Sequence, residues 1–192
     1  MTKLYHTPPE KYYEACVTYH LITYFKMLYR KTVYPFSISQ VREKAVGFDF
    51  GYEVQKGTVF LLQYKRPIGE GAQGYFWEIE RTQAEVLAGM PVRSYYVLPA
   101  FVQTAEWYEG LEKTYFIPTQ RIWRWLQKKP EKRARLHQCE PLVTDADPRC
   151  FDPYGTELHC AAYTEEIPYG KGMVQLPEYV EHGICGYWIG DV

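Results

Sequence analysis

GFDFGYEVQKGTVFLLQYKRP, residues 47–67, contains two strand-like runs that flank a Lys56-Gly57 turn. Asp49 lies on the first run, and Gln63 and Lys65 lie on the second. Alternation along a strand sends successive side chains to opposite faces. Phe48, Phe50, Tyr52 and Val54 therefore share one face, and Asp49, Gly51 and Glu53 the other. On the second run Val59, Leu61, Gln63 and Lys65 share a face. A three-residue loop, Gln55-Lys56-Gly57, with Gly57 in the left-handed position, is a common hairpin connection. Counting outward from Lys56 then sets Asp49 opposite Gln63, with side-chain roots about 5 Å apart and Lys65 on the diagonal. A two-residue loop would instead set Asp49 opposite Tyr64 and disperse the group. An acid, an amide and a lysine gathered on one hairpin suggest a site.

The composition frames that site. At 192 residues the chain is long enough for one domain with a substantial core. Hydrophobic residues at 46% and charged residues at 23% are ordinary for a globular protein. The 19 tyrosines are not. They either pack a core and half-wet surfaces or line a nucleic-acid groove by stacking on bases. A net charge of −1 excludes a global basic field but leaves room for a local basic groove. No run approaches the roughly 18 apolar residues of a membrane span, so none is expected. MTKLYHTPPE lacks the apolar segment of a signal peptide. Five cysteines without regular spacing suit a reducing cytoplasm.

Before the hairpin, Pro8-Pro9-Glu10 opens a helix that runs from Tyr12 to about Arg30. Its expected buried stripe is Tyr13, Val17, Leu21, Tyr24 and Leu28. Glu14 sits at the edge of that stripe, where it either points into a cleft or is solvated. Residues 32–37 contain a proline and read as a connector. Residues 37–43 read as a short helix carrying Glu43, a second candidate acid.

After the hairpin, residues 69–74 read as a flexible loop and residues 75–79 as a short strand. Residues 82–88 read as a helix ended by Gly89 and Pro91, and residues 93–101 as a buried strand. Helix and strand make a crossover back onto the sheet, as an α/β protein requires. A helix over residues 104–113 with Thr104 as N-cap and a strand at residues 115–117 complete this part.

RIWRWLQKKPEKRAR, residues 121–135, is the one concentrated basic segment. Arg121, Arg124, Lys128, Lys129, Lys132 and Arg133 are interleaved with Trp123 and Trp125. The segment is either a nucleic-acid flank, with cations on phosphates and aromatics on bases, or a solvated loop with core tryptophans. From Leu136 onward the periodicity fades. That tail holds four of the five cysteines, but no CxxC pair marks a zinc finger, and buried free thiols are the expectation.

Helical Glu14, then Asp49 in GFDF, then Gln63-Tyr64-Lys65 in FLLQYKRP resemble the PD-(D/E)XK nuclease superfamily. Within it they are most similar to the Mrr-type restriction-endonuclease branch, in which Gln replaces an acid. The resemblance covers about residues 10–101. It implies a restriction-endonuclease-like mixed central sheet flanked by helices, an α/β fold, with residues 102–192 as a less regular extension packed on that core. It implies a metal-dependent DNA endonuclease of the restriction or phage-defence kind, with nucleic acid and a second copy of the chain as partners. Asp49, the Gln63 side-chain carbonyl and the Tyr64 backbone carbonyl would bind Mg²⁺ or Mn²⁺, with Glu14 on a metal-bound water or second ion. Lys65 would orient the attacking water. Phe48 stands where the superfamily has Pro. The competing expectation is a nuclease-like fold kept as a non-catalytic nucleic-acid-binding or assembly subunit.

Overall fold

A computed structural model describes residues 7–37, 47–54 and 58–144. Helix α1 (Glu10–Tyr29) begins after Pro9 and closes at Arg30, whose left-handed backbone (φ 52) returns its N–H to the Phe25 carbonyl. Its buried stripe is Tyr13, Val17, Leu21 and Phe25, spaced by four, with Cys16 beside it. Phe25 takes the place expected of Tyr24, which is only partly buried.

Strands β1 (Val33–Ser37), β2 (Phe50–Val54) and β3 (Thr58–Tyr64) follow. The proline at position 35 does not make residues 32–37 a mere connector. β1 is the edge strand of its sheet, where the missing N–H is tolerated. Phe36 of β1 pairs with Gly51 of β2, and a Cβ at residue 51 would overlap the Phe36 ring. The helix expected over residues 37–43, with Glu43, falls almost entirely outside the described residues.

The GEGAQG segment is not a loop. Strands β4 (Gly69–Gly71) and β5 (Gly74–Glu80) form a tight antiparallel hairpin closed by Gly71 and Gly74, the latter at φ +77. Helix α2 (Arg81–Ala88) leads to β6 (Arg93–Pro99). A short 3-10 helix (Thr104–Glu109) then precedes β7 (Thr114–Pro118). Its cap is Gln103 rather than Thr104: the Gln103 side chain and Glu106 exchange bonds in a capping box. Helix α3 (Thr119–Gln127), strand β8 (Arg133–His137) and helical turn α4 (Pro141–Thr144) finish the described chain.

The protein is mixed α/β. Its main sheet has the order β1-β2-β3-β6-β7, parallel between β3 and β6 and antiparallel elsewhere. The crossover from β3 to β6 runs through the β4–β5 hairpin and α2. A smaller antiparallel sheet has the order β4-β5-β8. On one face of the main sheet, Val17, Leu21 and Phe25 of α1 pack on Tyr52, Phe60, Leu62, Tyr64, Tyr95 and Val97. On the other, Val59, Leu61, Tyr96 and Leu98 pack against α2, α3 and the smaller sheet, through Leu87, Ile122, Leu126, Trp77 and Leu136. The main sheet runs on past residue 101, where the nuclease-like core was expected to end. β7 forms its far edge, and residues 102–137 are regular in structure.

Candidate metal and phosphate site

β2 and β3 pair in the register Phe50↔Leu62 through Val54↔Thr58, which leaves three residues between the strands. Residues 55–57 lie outside the described residues, and the paired register ends at Phe50↔Leu62, one residue short of Asp49 and Gln63. At that point the backbone ladder gives way to side chains. The Asp49 N–H still donates to the Leu62 carbonyl (3.1 Å). Its carboxylate Oδ2 then accepts from the Tyr64 N–H (2.6 Å) and from Gln63 Nε2 (2.6 Å). The chain bends at Asp49, so Phe48 leaves the face of Phe50, Tyr52 and Val54 and packs in the opposite core.

Both partners are buried, Asp49 at 4% exposure and Gln63 at 1%. Gln63 Nε2 also donates to the Tyr64 carbonyl (3.0 Å). The amide therefore turns its nitrogen, and not the expected carbonyl oxygen, toward Asp49 and the Tyr64 oxygen. Gln63 Oε1 has no hydrogen-bond partner among the described residues. A buried unpaired acceptor costs about 1–3 kcal/mol, so this atom is available to a donor or a cation.

Glu14 is not a solvated helix residue. It is 3% exposed, and Lys11 Nζ donates to its Oε2 (2.8 Å). One turn earlier on the same helix, Glu10 accepts from the Arg66 N–H (3.2 Å). The carboxylates of Glu10, Glu14 and Asp49 offer oxygen atoms that all lie within 4.8 Å of one another. The sequence pattern gives Glu10 only a place at the start of the helix. The spacing to Glu14, four residues on one helix face, was the signal available to find it.

Lys65 is half-buried and lines a cleft of about 300 Å³ with Glu10, Arg66, Ile68, Glu78, Glu80 and Arg133. The cleft joins the end of β3 and the start of α1 to the smaller sheet. Arg133 bonds Glu78 (3.2 Å) and approaches Glu80 (4.0 Å). Of the six basic residues singled out from the sequence, only Arg133 lines this cleft. Arg124, Lys128 and Lys132 are exposed on α3 and the turn after it, with Arg121 half-buried. The tryptophans are structural. Arg81 lies over the Trp123 ring (6.0 Å) and Lys129 over Trp125 (5.1 Å), while Trp125 Nε1 donates to Glu140 (2.6 Å).

Behind the carboxylates runs a buried chain of hydroxyls. Thr18 Oγ1 and the Tyr52 hydroxyl are 2.5 Å apart, and the Tyr52 and Tyr64 hydroxyls 2.8 Å. Burial pushes the phenols of Tyr52, Tyr64 and Tyr96 upward from the ordinary 10.0, and the charge of Asp49 adds to the rise in all three. Sequence reading missed this chain, because Thr18 and the tyrosines are far apart along it.

Burial pushes the Cys16 thiol up to about 12, whereas Cys139 is exposed rather than buried as expected. The other tail cysteines lie outside the described residues. None of the described helices is long and apolar enough to cross a membrane. No protein-family model, curated protein or solved structure matches the chain.

Proposed function

We propose that the protein is a divalent-cation-dependent nuclease with a restriction-endonuclease-like fold, cleaving DNA in a restriction or phage-defence role. One observation carries the reading: three carboxylates, Glu10, Glu14 and Asp49, meet near the end of β3, where Gln63 bonds Asp49 and Lys65 enters a charged cleft. Three acidic oxygens within 4.8 Å repel one another, and a cation among them would relieve that repulsion beside the Lys11 ammonium already on Glu14. The donor set suits such a cation. It is all oxygen, as Mg²⁺ or Mn²⁺ prefers, and Gln63 would add a neutral oxygen once its amide turns its carbonyl in place of Nε2 toward Asp49.

The bound cation would supply Lewis acidity toward the phosphate and lower the pKa of coordinated water. Glu10, Glu14 and Asp49 would hold it, with the carbonyls of Gln63 and Tyr64 as further oxygen ligands. Lys65 orients the attacking water and balances the charge that builds on the phosphoryl oxygens. Arg66 and Arg133 hold the substrate backbone along the cleft, Arg133 exchanging its bond to Glu78 for phosphate. A second copy of the chain would serve the second strand. The test is incubation with plasmid and single-stranded DNA in Mg²⁺ or Mn²⁺, beside Lys65→Ala. Cleavage lost in the variant is the expected result.

A second reading rests on Gln63 Nε2, which occupies the space between Asp49 and the Tyr64 carbonyl. If that orientation is permanent, the fold serves as a nucleic-acid-binding subunit. DNA binding with no cleavage in either metal would favour it.

A further inference from the structure

Helix α3, TQRIWRWLQ, carries no acidic residue, in a chain whose net charge is −1. It buries Thr119, Ile122 and Leu126. At about 100° per residue, that stripe puts Arg124 and Lys128 near the middle of the opposite face, with Gln120 and Gln127 beside them. Arg124, Lys128 and, in the turn that follows, Lys132 are exposed. Their side chains make no ion pair or hydrogen bond among the described residues. The end of α3 is fastened to the cleft by Arg81. Its guanidinium donates to the carbonyls of Leu126 (2.7 Å), Lys129 and Glu131 (3.2 Å), and its N–H to the Lys132 carbonyl (2.9 Å). Glu80, the residue before it, lines the cleft and is the cross-strand partner of Arg133, which lines it too. Arg81 also offsets the partial negative charge of the helix's carbonyl end, which would otherwise oppose a phosphate.

We infer that the row Arg133, Lys132, Lys128 and Arg124 is a track for the backbone of duplex DNA, leading away from the cleft along the solvent face of α3. The inference rests on the nucleic-acid partner in the reading above and names the form of that partner. Single strands are held by stacking their bases on open aromatic rings. Trp123 and Trp125, the rings within this segment, are partly buried and carry Arg81 and Lys129 over their faces. What the row offers is positive charge, which binds phosphates and reads no base. At most about 17 Å of chain separates Arg133 from Lys128, and about 6 Å of helix separates Lys128 from Arg124. At about 3.4 Å per step, the row follows a duplex for up to roughly seven base pairs beyond the cleft.

The test is fluorescence anisotropy of a labelled duplex DNA of about 20 base pairs in chelator, with salt raised from about 50 to about 200 mM. Each cation on a phosphate contributes about 0.9 to the slope of log affinity against log salt. Arg124→Gln/Lys128→Gln should weaken binding and lower that slope by about 1.8. Lys26→Gln removes an exposed cation from α1, on the other face of the main sheet, and should leave the slope unchanged. Equal slopes in wild type and the double variant overturn the track, as does tighter binding of a single strand of the same length. Plasmid cleavage in Mg²⁺ is scored separately. A reduced slope beside an uncut plasmid keeps the track and removes the nuclease reading. Cleavage beside an unchanged slope does the reverse.

Discussion

Gln63 Nε2 lies 2.6 Å from Asp49 Oδ2, and the same oxygen accepts the Tyr64 N–H at 2.6 Å. Asp49 is thus both a candidate ligand and the residue that closes the end of the β2–β3 pair. The two roles separate by substitution. Asp49→Ala strands two buried donors and should cost about 2–3 kcal/mol in urea unfolding. Lys65→Ala removes a cleft residue and should stay within about 0.5 kcal/mol of wild type while cleavage falls by about 10²-fold or more. A loss of stability in Lys65→Ala comparable to that in Asp49→Ala would refute the separation.

Gln63 keeps the site at three negative charges where an acid would make four. Gln63→Glu removes the donor that bridges Asp49 and the Tyr64 carbonyl and adds a buried carboxylate beside three others. The metal-free variant should melt well below wild type, and saturating Mg²⁺ should restore more stability to it than to wild type, because the cation binds only the folded state. Melting curves in chelator and in Mg²⁺ decide this. An equal Mg²⁺ shift in both proteins would count against a cation at residue 63.

The hairpin was legible in the sequence because its information is local. Strand alternation and a three-residue spacing are enough to predict the register from Phe50↔Leu62 to Val54↔Thr58, which the structure has. Asp49 meets Gln63 just beyond it, through side chains rather than as a ladder pair. Glu14 could be placed at a helix edge but not buried, since burial depends on how α1 docks across the sheet. Glu10 joins the cluster through the same docking. The pairing of β6 with β7, and of β5 with β8, is long-range and left no local periodic signal beyond short apolar runs. Pro35 and the GEGAQG glycines suggested irregular chain, because propensity does not know that a strand sits at an edge or closes a tight hairpin. The basic segment alone leaves its tryptophans available for stacking, because Arg81, which lies over Trp123, is distant in sequence.

The hydroxyl chain from Thr18 through Tyr52 to Tyr64 ties the helix bearing Glu10 and Glu14 to the strand bearing Gln63. Tyr52 is fully buried and central, so Tyr52→Phe leaves the Thr18 and Tyr64 hydroxyls without their shared partner. The expected cost is about 1–3 kcal/mol by chemical denaturation. Tyr34→Phe, at a half-exposed ring on the edge strand, should be neutral. Equal effects of the two substitutions would show that the chain contributes nothing.

Glu106 gives the fold its clearest dependence on pH. Partial burial alone would raise its carboxyl, but bonds from Lys113 and from the Gln103 and Val102 N–H groups outweigh that and hold it below the ordinary 4.5. A carboxyl depressed in the folded state contributes stability above its unfolded value and loses it as pH falls through the folded value. Lys113 has the opposite sign. Its bonds to Glu109 and Glu106 raise it above 10.5, so its contribution is present below that value and lost above it. Glu106 also caps the 3-10 helix that follows Phe101, whose carbonyl accepts the Tyr13 hydroxyl of α1 (2.9 Å). Glu106→Gln should therefore lower the melting temperature at pH 7, and the gap to wild type should close as pH is taken from 5 toward 3. Thermal unfolding of both proteins across that range measures it. A gap that stays constant would mean that the carboxylate charge plays no part in holding the cap.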